Sequence, residues 1–329
     1  MIVLGIETSC DETAAAVLKD GKKVLSSCVS SSIHMHRKFG GIVPEIASRF
    51  HLEYIAPVTK KALKKANLGL SDIDLICVTH TPGLMGSLLV GVSFAKALSF
   101  GLKKPILGIN HIKAHLFAPF LEKGSFSFPF IGLVASGGHS SLALVLDFDK
   151  IEIIGRTRDD AAGEAYDKVA KMLELPYPGG PVIDKLAQSI NASPYSFKCA
   201  QFKNSFDFSF SGIKTSVLYA WKKIKKKDKK TKAQIAYAFQ SEVVESLTRQ
   251  SIAACKKFKI KTLSIGGGVA CNSYLRQRLG EEGKKEKIKV LIASPALCLD
   301  NAAMIAALGT QLYKKGERSD LTLTATASG

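Results

Sequence analysis

The run Gly132-Leu133-Val134-Ala135-Ser136-Gly137 repeats the grammar of Leu4-Gly5-Ile6-Glu7-Thr8-Ser9, an apolar strand-like stretch that breaks into a tight polar turn. Around each copy the chain predicts three short strands. In the first copy they are Ile2 to Glu7, Thr13 to Leu18 and Lys22 to Val29, with Lys19-Asp20-Gly21 as a hairpin turn. In the second they are Phe130 to Ser136, Ser140 to Leu146 and Ile151 to Arg156. A duplicated unit accounts for both with one assumption.

Each copy is followed by alternating helix and strand patterns. After Pro44 a helical period carries Ile46, Phe50, Tyr54, Val58 and Leu63, then come a strand from Asp74 to Thr79, a helix from Met85 to Phe100 and a strand leading to Asn110. The second half continues with helices near Ala161 to Leu173, Val182 to Asn191 and Lys232 to Phe258, a strand Thr262 to Ile265, a helix Cys271 to Leu279, a strand Lys289 to Ile292 and a helix Asn301 to Lys314. Alternation of this kind implies mostly parallel sheets. The expected fold class is α/β, a duplicated actin/Hsp70/sugar-kinase-like fold of two sheet-based lobes with a nucleotide cleft between them. The expected boundaries are residues 1–125 and 126–329, with an inserted aromatic and basic segment near 191–230. Phenylalanines such as Phe197, Phe208 and Phe210 in that segment read as local core before they read as stacking surfaces for bases.

Composition narrows the class. At 329 residues, with 46% hydrophobic and 22% charged, the chain has the make-up of a globular enzyme large enough for two cores. Seven scattered cysteines without a C-x-x-C pair read as reduced thiols and exclude a cysteine-ligated zinc centre. The opening residues enter a strand pattern directly, and no apolar run reaches a spanning length of about 20 residues, so the expected location is the cytoplasm. Forty-six Lys and Arg against 28 Asp and Glu give +18, a balance that favours a polyanionic partner. Much of that excess sits between Lys222 and Lys232, which reads equally as a solvated face.

Two kinds of chemistry stand out. His111 and His115 are four residues apart in a helical stretch after a strand, so both imidazoles share one face one turn apart, as metal ligands require. A third ligand should be a carboxylate at a strand end in the other half. Asp300 is the candidate, although a helix N-cap is its ordinary alternative. His34, His36, His80 and His139 are further possible ligands that read more simply as turn or packing histidines. A zinc protease is disfavoured, because the residue after the first histidine is Ile112 where that chemistry needs a glutamate. The second feature is three polar or glycine-bearing turns at strand ends: Glu7 to Glu12, Ser136-Gly137-Gly138-His139 and Gly266-Gly267-Gly268. In a duplicated frame, backbone amides of such turns cup phosphates.

Longer blocks carry a family resemblance. They include Gly5-Ile6-Glu7-Thr8-Ser9-Cys10-Asp11-Glu12-Thr13, Gly40-Gly41-Ile42-Val43-Pro44-Glu45 with Ala47-Ser48-Arg49 and His51, and Pro82-Gly83-Leu84 with Gly86-Ser87-Leu88. Asp160-Ala161-Ala162-Gly163-Glu164-Ala165, Pro178-Gly179-Gly180-Pro181, Phe208-Ser209-Phe210-Ser211-Gly212-Ile213-Lys214-Thr215 and Asp300-Asn301-Ala302-Ala303-Met304 continue the match. The chain resembles, over essentially its whole length, the bacterial tRNA threonylcarbamoyladenosine synthase subunit TsaD (Gcp/YgjD) family.

The resemblance implies a metal-dependent acyltransferase that moves threonylcarbamoyl from threonylcarbamoyl-AMP to the adenosine next to the anticodon, in tRNAs reading codons that begin with A. It implies one divalent metal per subunit, iron with zinc as the alternative, on His111, His115 and Asp300. It places the adenylate at Val134, Ala135, Ser136, Gly137, Gly138, Asp167, Gly180, Asp184 and Asn272. Its partners are tRNA, a TsaB-like paralogue, a TsaE-like ATPase and a separate synthase that makes the adenylate. Asp11 and Glu12 are the candidates for handling the proton lost by the attacking amine. Two positions depart from the family pattern: Thr81 stands where a glycine is usual, and Leu299 where a threonine is usual. A small-molecule kinase of the same fold and a nucleotide-gated binding module are the competing readings. The kinase would transfer phosphate without tRNA and without need of both histidines.

Overall fold

The computed structural model describes residues 1–124 and 127–328, which form two compact units: Met1–Phe126 with Ala296–Gly329, and Ser127–Pro295. The first unit is built on β1 (Ile2–Glu7), β2 (Glu12–Lys19), β3 (Lys23–Ser31), β4 (Leu75–Thr81) and β5 (Ile106–Asn110). The second uses β6 (Phe130–Ala135), β7 (Ser140–Val145), β8 (Ile151–Arg156), β9 (Thr262–Gly266) and β10 (Lys289–Ile292).

The two sheets have one topology. Their orders are β3-β2-β1-β4-β5 and β8-β7-β6-β9-β10. In each, the first strand pairs antiparallel with the hairpin partner on one side and parallel with the fourth on the other. For β1 the registers run Ile2↔Lys19 to Glu7↔Ala14 and Val3↔Leu75 to Ile6↔Val78, and for β6 Phe130↔Val145 to Ala135↔Ser140 and Ile131↔Leu263 to Val134↔Gly266. This is the duplication expected from the repeated runs.

A strand central in a sheet covered on both faces has no solvent side, so β1 and β6 are continuous apolar runs without alternation. Leu4 and Ile6 of β1 pack with Ile55, Val58, Val92 and Ala95 from the helices Pro44–Ala66 and Met85–Leu102. The opposite face is covered by the helix Ala302–Lys314, which contacts β1, β2 and β4. Small residues make that approach close: a Cβ on Gly5 would lie 2.2 Å from the Ala302 carbonyl oxygen. The helix Met85–Leu102 is apolar and long enough to cross a membrane by length and composition alone, and here it packs on β4 and on the helix Pro44–Ala66.

Three expectations are corrected. The last segment, Ala296–Gly329, packs with the first unit and not within a lobe running 126–329. Besides the helix on β1, it adds a bridge from Ser319 to Ile106 and a hydrogen bond from the Thr326 amide to the His80 carbonyl, 2.9 Å. The helix expected over Val182 to Asn191 spans Gly179–Ala187, because Gly179, Gly180 and Pro181 form its first turn and do not precede it. Proline is tolerated there, where its missing N–H has no intrahelical role. The segment near 191–230 contains a helix, Ser211–Lys223, whose Ile213, Val217 and Trp221 are buried. Phe197, Phe208 and Phe210 are core residues, as expected, and Phe202 lies half-buried under the Arg158 guanidinium at 3.9 Å.

Candidate functional site

In the first unit, β5 is an edge strand that ends at Asn110, whose side-chain oxygen accepts from the Lys113 amide at 2.9 Å and so caps the helix His111–Phe117. That cap fixes both histidines on the inward face, with His115 fully buried and His111 nearly so. Asp300 meets them. Its Oδ1 is 3.2 Å from His115 Nε2 and 3.6 Å from His111 Nε2. The expectation of a carboxylate from the other half is corrected, since Asp300 arrives on the segment that packs with β1. The N-cap of the helix Ala302–Lys314 is Asn301, which accepts from the Met304 amide at 3.0 Å, so Asp300 is not spent on capping.

A fourth side chain completes the cluster. Glu7, at the end of β1 and fully buried, accepts from His111 Nδ1 at 2.9 Å through Oε2. The same oxygen takes the Thr79 hydroxyl at 2.5 Å, and Oε1 takes the Ser9 amide at 2.5 Å. Sequence reasoning places Glu7 only in a polar turn. The signal that could have singled it out is a carboxylate closing an apolar central strand, where an ionised group must find partners.

Burial alone would raise the Glu7 carboxyl, yet the His111 imidazole beside it brings it below the usual range. Burial works against charge on His111 as well, but Glu7 and Asp300 push it up to about 9. His115 is held below its ordinary value by burial, against the pull of Asp300.

The donor set suits a divalent metal. One ligand atom each from His111, His115 and Asp300 lies within 4.8 Å of the other two, and among the described residues no other such group is found. With metal–ligand bonds of about 2.1 Å, neighbouring donors stand about 3.0 to 3.4 Å apart, the scale of the two His–Asp distances. Two imidazoles and one carboxylate are donor types that both iron(II) and zinc take. The Glu7–His111 hydrogen bond is the outer carboxylate that orients a ligating histidine. The other histidines are employed elsewhere: His36 accepts from the Val43 amide, His80 contacts the Thr324 carbonyl, and His139 is exposed.

Asp11 is buried at the end of the turn between β1 and β2, and Glu12, half-buried, opens β2. Glu12 accepts from the Ser31 hydroxyl at 3.0 Å. Burial, with Asp11 and Asp300 nearby, pushes its carboxyl up to about 10. Glycines behind this turn serve packing, since a Cβ on Gly83 would sit 2.6 Å from the Ser9 carbonyl oxygen and one on Gly91 2.2 Å from Thr8 Oγ1.

In the second unit the expected ligand residues form a ring at the carboxyl ends of β6 and β9. Val134 and Ala135 end β6, fully buried. The Gly163 amide donates to the Ser136 carbonyl at 3.1 Å. Asp167 Oδ1 accepts from the Gly179 amide at 2.6 Å, which ties the helix Ala162–Met172 to the start of the helix holding Gly180. Asp184 takes the Ser273 hydroxyl at 2.8 Å and its amide at 3.0 Å. Asn272 caps the helix Ser273–Lys285 through Oδ1 and donates to Gln240 at 2.8 Å, so its side chain is already committed inside the protein. Gly267 closes the ring: φ is +89°, and a Cβ there would lie 2.4 Å from the Ala135 carbonyl oxygen.

Gly137, Gly138 and Gly180 behave differently. A Cβ on any of them would meet nothing within 4 Å, and none has the positive φ that favours glycine. The packing of the fold does not require glycine at these positions.

Comparison with known proteins identifies the family. Residues 23–307 match the family described as TsaD, tRNA N6-adenosine threonylcarbamoyltransferase. The chain belongs to the TsaD family. It is 51% identical over 326 residues to the tRNA N6-adenosine threonylcarbamoyltransferase of Dictyoglomus turgidum, covering 99% of this chain and 97% of that protein. It is 52% identical to that of Thermosipho africanus, covering 99% and 98%. Its activity is that of the family, transfer of threonylcarbamoyl to N6 of an adenosine in tRNA. The fold is shared more widely. Component A of (R)-2-hydroxyglutaryl-CoA dehydratase from Acidaminococcus fermentans superposes with a TM-score of 0.55 at 18% identity, covering 96% of this chain and 98% of that one. A ROK hexokinase from Thermus thermophilus gives 0.51 at 14%, covering 96% and 99%.

Proposed function

We propose that this TsaD-family chain takes the threonylcarbamoyl group from threonylcarbamoyl-AMP and places it on the adenosine next to the anticodon, in tRNAs that read codons beginning with A. The observation that carries the reading is the pairing, within one chain of the TsaD family, of the buried His111 and His115 and the partly buried Asp300 with Gly137, Gly138 and Gly180 in the second unit, where an added Cβ would meet no protein atom.

The adenylate is assigned to the second unit. Amides of Gly137, Gly138 and Gly180 receive its phosphate, Ser136, whose own amide is tied to the His139 carbonyl at 2.8 Å, holds the turn, Asp184 and Asp167 face its hydroxyl and amine groups, and Val134, Ala135 and Asn272 shape the wall. His111, His115 and Asp300 hold one iron(II), with zinc as the alternative. When bound there, such an ion would supply Lewis-acid polarisation. Glu7 keeps the His111 Nδ1–H pointed away from the ligand position.

The reaction balances without a redox partner. A bond forms between N6 and the carbamoyl carbon, the carbamoyl–phosphate bond breaks, AMP departs with the electron pair, and the amine loses one proton. Asp11 and Glu12 are adjacent carboxyls, and burial beside Asp11 and Asp300 pushes Glu12 up to about 10, a pair placed to handle that proton. The net charge of +18 favours the tRNA backbone. A TsaB-like paralogue, a TsaE-like ATPase and a separate adenylate-forming synthase complete the expected assembly, in the cytoplasm where tRNA is modified.

The test is nucleoside mass spectrometry of tRNA incubated with threonylcarbamoyl-AMP, the partner proteins and this chain. Threonylcarbamoyladenosine should form with the wild type. ATP-dependent phosphorylation of a sugar in its place would establish the kinase reading.

A further inference from the structure

Two buried histidines outside the metal group each hold the backbone of the turn that carries Asp11 and Glu12. His51, on the helix Pro44–Ala66, has Nε2 3.0 Å from the Cys10 carbonyl oxygen and Nδ1 2.7 Å from the Thr13 hydroxyl. A carbonyl only accepts, so Nε2 carries the hydrogen. In the neutral ring Nδ1 then accepts from Thr13. His36 is oriented by the same logic. The Val43 amide donates to its Nδ1 at 3.2 Å, so Nε2 carries the hydrogen and donates to Ser32 Oγ at 2.9 Å. The Ser32 hydroxyl in turn donates to the Asp11 carbonyl at 2.9 Å, beside the Ser32 amide at 3.0 Å.

Two directed hydrogen-bond chains therefore end on consecutive carbonyls, Cys10 and Asp11. Both rings are held below the ordinary histidine range, chiefly by burial, which matches the neutral tautomers that the partners demand. The hydrogen bonds of both rings involve Cys10, Thr13, Ser32 and Val43, and none goes to His111, His115 or Asp300.

We infer that His51 and His36 are positioning residues for the transfer reaction, fixing the Cys10–Asp11–Glu12 turn so that its carboxyls are aimed at the proton they handle. The inference rests on the proposed role of Asp11 and Glu12 as the proton-handling pair. Misplacing a reacting group by about 1 Å costs on the order of a hundredfold in rate, so the turn must be fixed at its main chain and not only at its ends.

Amide side chains separate positioning from bulk. Glutamine can place its Nε2 where the histidine Nε2 stands and still donate to Cys10, whereas asparagine reaches only as far as Nδ1 and loses that donor. The experiment measures kcat, KM for tRNA, bound metal and thermal midpoint for H51N, H51Q, H36N and H36Q in the full assembly. H51N is expected to lower kcat about ten- to a hundredfold with KM changed less than about twofold and bound metal retained. H51Q should recover most of that loss, and the His36 pair should repeat the pattern more weakly, because the Ser32 amide still holds Asp11. Equal turnover of H51N and H51Q, or a loss confined to the thermal midpoint, would overturn the inference. D11N and E12Q run alongside: full activity in both removes the acidic-turn reading, while full activity in H51N removes only the positioning role.

Discussion

In the first unit the turn after β1 is crowded and acidic. Glu7 is fully buried among polar partners, Asp11 is buried on the same turn, and the neighbouring glycines are there because Gly83 and Gly91 press against it. In the second unit the turn after β6, at the same place in the same strand order, is open and uncharged, and a Cβ on Gly137 or Gly138 would meet nothing in the protein. A buried carboxylate at a strand end can hold a metal-ligating histidine, and open amides at a strand end can hold a phosphate. On the proposed reading, one duplicated frame carries two different binding chemistries, divided by the composition of the turn that leaves its first strand.

The comparison can be broken most forcefully at the metal group. D300A or H115A should lose bound iron or zinc by elemental analysis and drop transfer by more than about a hundredfold, with the circular dichroism of the fold retained. Full turnover in a metal-free D300A protein would end the metal assignment. A smaller effect is expected one bond further out. E7Q keeps an acceptor for His111 but removes the charge, so metal affinity should fall about tenfold or more, read by competition with a chelator.

Glycine substitutions sharpen the contrast between packing and binding. G5A forces a Cβ into the Ala302 carbonyl and should cost about 2 kcal/mol of stability in urea unfolding. The Cβ that G138V adds meets no neighbour, so its stability should change little while its affinity for AMP falls about tenfold. The reverse pattern would mean that the open turn is structural.

The smallest effect is electrostatic and belongs to the second unit. Burial opposes charge on Asp160, but Lys168 at 2.8 Å and Lys214 at 2.7 Å bring its carboxyl below the usual range. A depressed carboxyl contributes stability that is present above the unfolded value, near 4, and disappears as pH falls through the folded value. D160N should therefore lose about 1 kcal/mol or less at neutral pH and match the wild type once both are at lower pH. An equal difference at every pH would remove the charge explanation.

Much of the molecule is readable from the sequence where local pattern decides structure. The repeated runs at Leu4 and Gly132, the strand Ile151–Arg156 and the i, i+4 pair at His111 and His115 are set by neighbours in the chain, and the structure has them where the pattern puts them. The start of the helix Gly179–Ala187 escapes such reading because two glycines and a proline look like a turn, although proline is at home in a first helical turn. The helix Ser211–Lys223 is hidden between an aromatic stretch and a lysine run. Long-range placement leaves no local trace. Nothing near Asp300 says that its helix lies on β1, and nothing near Glu7, His36 or His51 announces a partner 104, 7 or 41 residues away.

The division of labour between the units is tested most directly by a crossed binding measurement, titrating AMP calorimetrically and measuring bound metal on D300A and on G138V. The account predicts that D300A binds AMP as the wild type does but holds no metal, and that G138V holds metal but loses AMP binding. Loss of AMP binding in D300A together with intact AMP binding in G138V would contradict it.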